Sequence, residues 1–434
     1  MERKTTRPRL VQAMMDIWAL PDLRRRILFT IGILVVFRFM THVPLPGVDL
    51  AKLQEYFAGS PLFGMLDLFT GGAMENFSVA ALGVYPYITA SIIMQLLVPV
   101  IPRLQAISQE GELGQQRINR ITHLAMIPLA AMQSYAMIAL LSSQGVTQDL
   151  VPLTMANIVI TMIASTMFLV WLGELITERG VGNGISLIIF AGIVTDIPGI
   201  VGRGIIAAVG GNPGGLITYV ILSLAMIVLI VVFVEAHRRI PVQYARSTFR
   251  GGRMYRQSGS TYIPLRVNTA GMIPLIFAIA LMQLPGTIAT YFMNPAGQDP
   301  NFWNTIFNLF QSDRAMYQGL YFALVIGFTL FYTMVIFEQM NLPQTLQQQG
   351  GFIPGVRPGK ATADYLNRII RRITFGGALF LAVVAILPFI TQRITGVNLL
   401  IQSTAMLIAV GVALDTMKQL EAQLTMRRYE GFLK

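Results

Sequence analysis

The sequence predicts an all-α integral membrane protein that crosses the bilayer ten times in two inverted, pseudo-symmetric halves of five helices. Three observations point there: an apolar excess no water-soluble fold of this size could hide, a series of uncharged stretches long enough to span, and an internal repeat. Of the 434 residues, 54% are hydrophobic and 12% charged, with a mean hydropathy of +0.60. Ordinary soluble domains carry about 25% charged residues. Lipid is therefore the expected solvent for most of the chain.

The elements follow in chain order. Residues 1–26 form a basic amphipathic lead-in, in which Pro21 and Asp22 suit a helix start ahead of Arg24, Arg25 and Arg26. No small-residue cleavage site follows, so the first span is expected to remain as the start of the membrane domain. That span opens at Ile27 and meets Arg38 after eleven uncharged residues. Stretches 76–102, 121–148, 150–173, 204–234, 315–337, 373–392 and 394–414 lack Lys, Arg, Asp and Glu altogether. Each holds at least the roughly 20 residues that cross about 30 Å of hydrocarbon. The run 267–298 holds one span plus a loop, and a span opening near Gly184 meets Asp196 and Arg203. The halves are expected at 27–210 and 211–417, with a tail at 418–434.

Charge fixes the expected orientation. With a cytosolic N-terminus, 27 of the 32 Lys and Arg residues face the cytosol, and Arg38, Lys52, Arg203, Arg314 and Arg393 remain outside. The net charge of +11 thus belongs to one membrane face, which suits anionic lipids, ribosomal RNA or an acidic protein. Both termini are expected in the cytosol.

Three connecting segments stand out. Residues 61–70 would make a helix of only about 15 Å, too short to span and too apolar for an ordinary loop. A re-entrant half-helix and an interfacial helix both fit. In the cytosolic segment 236–266, basic residues alternate with Tyr244, Phe249, Tyr255 and Tyr262, and Gly251–Gly252 would allow a hairpin tip. In 340–370, clustered Gly and Pro display Arg357 and Lys360. Presented docking loops and ordinary positive-inside charge both account for these two.

The repeat aligns 83–96, GVYPYITASIIMQL, with 271–284, GMIPLIFAIALMQL. Seven of fourteen positions are identical at an offset of 188, among them Gly83/Gly271, Pro86/Pro274 and Gln95/Gln283. The copies fall on the second and seventh spans, which run in opposite directions, the signature of an inverted repeat with its site between the halves. Spans broken at Pro86 and Pro274 would line that site. A secondary transporter needs buried charge there, whereas the repeat offers Val84, Ile88 and Ile276 with Thr89, Ser91, Gln95 and Gln283. Asp196, Glu338, Glu174 and Asp415 fall near span ends. Plain helix packing accounts for the isoleucines; so does an apolar collar that blocks ions by dewetting.

No catalytic constellation accompanies them. With no cysteine, thiol chemistry and Cys-bound metals are excluded. His42, His123 and His237 lack ligand spacing, and GVGNG at 180–184 lacks the strand a nucleotide loop requires. No cofactor is expected.

Four segments, in order along both halves, resemble the SecY family, the large subunits of bacterial protein-conducting channels: FSVAALGVYPYITASIIMQLL at 77–97, GVGNGISLIIFAGIV at 180–194, VNTAGMIPLIFA at 267–278 and GFIPGVRPGKAT at 351–362. The resemblance implies ten helices around a central hourglass pore, with a re-entrant plug helix at 61–73. Its hydrophobic ring falls on Val84, Ile88, Ile189, Ile193, Ile276 and Ile408, Val84 standing where many relatives have isoleucine. The plug matches Pro61, Leu62, Phe63, Met65, Leu66, Leu68 and Phe69, hinged at Gly71 and Gly72. A lateral gate lies between spans two and three and spans seven and eight, near Thr89, Gln95 and Asn268. Docking of motor or ribosome falls on Arg239, Arg246, Arg253 and Arg357, although 236–266 carries one residue more than common relatives before Arg253. The implied partners are small SecE-type and SecG-type subunits, the SecA motor ATPase, the ribosome, signal peptides and unfolded secretory polypeptides. The implied location is the bacterial plasma (inner) membrane, and the implied function is conduction without catalysis, with apolar segments released sideways into lipid. A secondary transporter with inverted repeats is the alternative.

Overall fold

The computed structural model describes residues 20–53, 67, 70–143, 146, 151–209, 213–250, 253–271, 273–292, 301–311, 314–340, 342–395 and 403–430. The expected plug residues Pro61, Leu62, Phe63, Met65, Leu66, Leu68 and Phe69 lie outside them. Helices dominate, as hydrocarbon demands of a chain that must pair its own backbone groups.

The chain divides into two compact units. The first takes residues up to 97, 112–202 and 408 onward. Its helices are α1 (Pro21–Met40), α2 (Tyr85–Leu97), α4 (Glu112–Ser143), α5 (Pro152–Arg179) and α6 (Gly184–Val209, to Gly202 in this unit). Most of α13 (Ser403–Glu430) joins them. Here α2 packs on α4 and α5, α4 on α5, and α1 on α5. Pro at the first helical position starts α1 and α5, where its missing N–H has no helical partner to lose.

GVGNG proves to be a helix connector. Asn183 caps α6 by accepting the Ser186 N–H at 3.0 Å, and Thr177 Oγ1 accepts the Gly184 N–H at 2.9 Å. Gly182 turns the chain at φ 82°. Gly184 lies so close to the Gly173 carbonyl that a Cβ there would overlap it, the small-residue contact that brings membrane helices together.

The second unit, 98–111 with 203–407, holds α3 (Pro102–Ser108), α7 (Pro213–Glu235), α8 (Ile273–Phe292), α9 (Phe302–Leu309), α10 (Ala315–Met340), α11 (Leu342–Gln348) and α12 (Lys360–Thr395). In it, α10 packs on α8 and α12, and α7 on α12. The all-α expectation needs amending here. Strands β1 (His237–Arg250) and β2 (Arg253–Arg266) form an antiparallel hairpin, and β3 (Gly351–Phe352) adds to the free edge of β1 through Gln243↔Phe352 and Tyr244↔Gly351. Ile240, Val242, Leu265, Leu346, Ile353, Leu366 and Ile370 give this sheet its own buried core.

Among the described residues, four helices are long and apolar enough to span, at Glu112–Ala139, Pro152–Arg179, Ala315–Gln348 and Lys360–Leu387. A fifth is gained if α2 and α3 count as one broken span. Shorter apolar helices run over Gly184–Gly199, Val220–Glu235 and Ile273–Met282. Helix α1 falls short because Arg24, Arg25, Arg26 and Arg38 crowd its ends, and α13 because its second half is polar.

The contact at Gly184 yields a direct test. Gly184→Ala should push α6 off α5 at a cost of about 1–3 kcal/mol, typical of overpacking. The measurement is the thermal midpoint of monodisperse protein in detergent, which should fall while the control Gly202→Ala, with open space around its Cβ position, leaves it unchanged.

Candidate functional site

The repeat keeps its register in three dimensions. Gly83 and Gly271 both adopt left-handed backbone, at φ 53° and 64°. Two residues later a helix begins in each copy, at Tyr85 and Ile273. Pro86 and Pro274 are the second residues of those helices, and Ile88 and Ile276 the fourth. The prolines therefore initiate helices, which their fixed φ favours. The expectation that they break spans from within is corrected: the interruption lies just upstream, at the glycines.

Within the first unit the expected ring residues are buried. Val84 and Ile88 stand one turn apart, with the Ile88 N–H donating to the Val84 carbonyl at 3.1 Å. Ile189 and Ile193 stand one turn apart on α6, and Ile408 lies on α13. All five are buried. Ile276, partly buried, belongs to the second unit.

Beside the α6 pair sit the two glycines expected as a hinge. Gly71 and Gly72 have φ of 69° and 80°, a backbone that side chains resist. A Cβ on Gly71 would come within 2.8 Å of the Gly192 Cα, so the Gly71 backbone lies directly against α6 beside Ile193. Arg38 donates from Nη1 to the Gly71 carbonyl at 2.7 Å. Asp67 is buried, and its Oδ1 accepts the N–H groups of Met74 (2.9 Å) and Glu75 (3.1 Å) and the Thr70 hydroxyl (3.1 Å). Burial pushes the Asp67 carboxyl up from its ordinary value, against the downward pull of those hydrogen bonds. Farther along, Leu45 donates to the Phe77 carbonyl at 2.9 Å and Val79 to the Val43 carbonyl at 2.9 Å. Phe77, fully buried, is held at φ 40°, costly for a bulky residue. Arg38 and Asp67 are absent from the expected site residues; Arg38 enters there only as the charge that ends the first uncharged run.

The polar gate candidates fare unevenly. Thr89 spends its hydroxyl on the Tyr85 carbonyl one turn back, at 3.0 Å. Gln95 donates to Ser91 Oγ at 3.2 Å, while its Oε1 and the Oδ1 of Asn268 are buried without a partner among the described residues. Nearby in the first unit, His123 Nε2 lies 3.1 Å from Glu174 Oε1 in a contact not aligned as a hydrogen bond. Tyr87 packs on that imidazole and donates to Asn119 Oδ1 at 3.4 Å. The sequence had left His123 and Glu174 unrelated.

On the sheet, Arg239 is exposed and stacks over Tyr262, 4.9 Å from its ring centre. Arg246 and Arg253 lie on β1 and β2. Exposed Arg357 stands between Gly355 and Gly359, both with positive φ, and its carbonyl accepts the Thr362 hydroxyl at 2.8 Å. The β1–β3 pairing thus joins two segments that the sequence presented as separate loops. A Cβ on Gly351 would meet the Tyr244 ring at 2.9 Å, so glycine permits that pairing.

Comparison with known proteins bears on all of this. A family model described as SecY matches residues 78–417. A protein translocase subunit SecY of Mycobacterium tuberculosis is 42% identical over 436 residues, covering 95% of this chain and 97% of that protein. Among solved structures, a SecY channel whose plug domain stabilises its closed state aligns with TM-score 0.64 at 18% identity, covering 92% of this chain and 91% of its own. Sec61 in a canine ribosome–channel complex gives the same four values. At such identity these two likenesses carry the fold.

The Asp67 cluster can be probed without any activity assay. Asp67→Ala leaves the Glu75 amide without an acceptor and the Met74 amide with only the Thr70 hydroxyl, at 3.3 Å, a loss of about 1–3 kcal/mol for a buried donor. Their hydrogen exchange should accelerate by roughly an order of magnitude, and Asp67→Asn, which keeps an acceptor oxygen, should lie between.

Proposed function

The chain belongs to the SecY family, and from that premise we propose how its own residues conduct a polypeptide. It is the channel subunit of a protein translocase: unfolded secretory polypeptides cross the membrane through it, and hydrophobic segments leave it sideways into lipid. The observation that carries this reading is the family match over 78–417, with a relative 42% identical along nearly its whole length.

Ten helices, α1, α2, α4 to α8, α10, α12 and α13, cross the plasma (inner) membrane, with both termini in the cytosol, an orientation the Lys and Arg distribution supports. Val84, Ile88, Ile189, Ile193, Ile276 and Ile408 form the collar. With no charge to solvate ions, the resting collar dewets and blocks them. Its apolar side chains also give a threading polypeptide nothing to bind, so any sequence passes. A wetted pore spares each charged residue the roughly 2.5–3.5 kcal/mol of insertion at bilayer centre. Sufficiently apolar segments gain by moving the other way, into lipid. Segment 61–73 is the plug, swinging at Gly71 and Gly72. The Arg38 hydrogen bond to Gly71 and the Asp67 cluster hold the hinge against α6, beside the collar.

The sheet and the Arg357 turn form the cytosolic docking platform for the ribosome or the SecA motor, and chain energy enters there. Support comes from the exposure of Arg239 and Arg357 and from a structural neighbour that is itself a ribosome–channel complex. Small SecE-type and SecG-type subunits complete the channel, and anionic lipid meets its basic face. A secondary transporter finds no support, since the repeat carries no carboxylate.

Two outcomes test this. Glycine at Ile88, Ile276 and Ile408 together should raise resting ion conductance in planar bilayers severalfold; unchanged leakage would remove the collar from its sealing role. Arg357→Glu should lower ATP-driven secretion into inverted vesicles by about tenfold yet spare ribosome-independent membrane integration, and full secretion would exclude Arg357 from docking.

A further inference from the structure

The short helix α9, between α8 and α10, is absorbed by neither the collar nor the docking platform. Placed around a helix of about 3.6 residues per turn, its apolar side chains Leu309, Phe302, Ile306, Phe310, Trp303 and Phe307 fill one arc. Asn304, Thr305 and Asn308 fill the other. No charged residue occurs in 301–311. The helix is fastened at its start. Asn301 Oδ1 accepts the N–H groups of Trp303 (2.9 Å) and Asn304 (3.0 Å), and the Asn304 side chain returns the bond to the Asn301 N–H at 3.3 Å. Asn301 Nδ2 also donates to the Phe292 carbonyl at 2.7 Å. The Trp303 ring lies 5.0 Å from that of Phe292, centre to centre. Helix α9 is thus clamped to the last turn of α8.

Its apolar arc is nevertheless open at one edge, at Phe302 and Leu309, and nowhere fully buried. Phe302 is 71% exposed, and Phe292 and Ile288 on α8 are 57% and 45% exposed. Topology gives the level at which this surface lies. Helix α8 leaves the sheet after β2, and α10 returns to it through α11 and β3, which pairs with β1. Helix α9 therefore sits at the end of these two helices remote from the basic sheet.

We infer that α9 is an interfacial anchor that lies in the headgroup region of the leaflet opposite the basic sheet, its apolar arc against the acyl chains. The occupant is lipid because the Phe292–Trp303 contact joins this open edge to the exposed apolar flank of a membrane helix, Leu281, Ile288 and Phe292. The polar arc of amides and a hydroxyl matches headgroups, and Trp and Phe are the side chains that settle at this boundary. An anchor bonded to Phe292 holds the far end of α8 at a fixed depth, so α8 can tilt about that end without sinking. The inference rests on α8 and α10 crossing the membrane, and it goes beyond the channel reading.

Trp303 is itself the probe. The chain has three tryptophans, so Trp18→Phe with Trp171→Phe leaves it alone. The full chain would be reconstituted in phosphatidylcholine–phosphatidylglycerol vesicles containing lipids spin-labelled near the headgroup or near the chain end. The headgroup-proximal label should quench Trp303 at least about twofold more than the chain-end label, as expected for burial of about 5–10 Å, and aqueous iodide should quench it weakly. If the double variant misfolds, the wild-type minus Trp303→Phe difference spectrum gives the same readout. Strong iodide quenching without lipid quenching, stronger chain-end quenching, or no quenching by any agent would each overturn the anchor. They mean a helix in water, at mid-membrane, or under protein, respectively. Translocation measured in the same vesicles keeps a failed anchor distinct from a failed channel.

Discussion

Hydrocarbon offers no hydrogen bonds, so every backbone N–H and C=O at membrane depth must find its partner within the protein. Helices meet that demand automatically. The stretch 70–84 cannot, because its glycines and turns break the helical ladder, and its structure depends on side chains that substitute for it. Asp67 takes the Met74 and Glu75 amides. Arg38 takes the Gly71 carbonyl. Residues 43–45 pair with 77–79 like a fragment of sheet. Two charges that look like blemishes in an apolar chain thus repair backbone where the helix stops. A charge kept for that purpose explains why it sits beside the most irregular segment of the first unit.

The same constraint shapes the repeat. A helix that begins inside the membrane domain exposes its first amides, and proline in the first turn removes one of them. Glycine two residues before the helix lets the chain arrive from an otherwise forbidden direction. Gly83 with Pro86 and Gly271 with Pro274 are one solution used twice. The shared Gly and Pro thus stand where backbone geometry is least forgiving, and Ile88 and Ile276 follow at a fixed distance downstream. The position of Ile88 and Ile276 is set by the helix starts.

This explains what was legible beforehand. Solvent class, helical dominance and the repeat are carried by composition and by residues of fixed geometric meaning, so the linear sequence displays them. Ile88 and Ile276 stand in register with Gly and Pro, so their place in the repeat is readable in the sequence, whereas the rest of the expected ring rests on the family resemblance. The pairing of Tyr244 with Gly351 could not, because a two-residue strand has no periodicity and its partner lies more than a hundred positions away. Nor could the roles of Arg38 and Asp67, since a charge that bonds to backbone carries no motif; its only signal was its presence in apolar surroundings beside paired glycines. The prolines were assigned to the right segments with the wrong local role, because the sequence alone does not say where a helix begins.

The sheet answers a different requirement. A channel that opens must let its membrane helices shift, whereas the docking surface proposed for the sheet would bind best with its shape already set, because ordering it on contact costs affinity. Stitching β1, β2 and β3 over a separate core of Ile240, Val242, Leu265, Leu346, Ile353, Leu366 and Ile370 places the two requirements in different parts of the chain. Arg357 then stands on a turn whose flanks, Ile353 and Val356, are packed into that core, while α10 and α12 carry the same core toward the membrane. The basic turn is thereby held to those helices by buried apolar contacts.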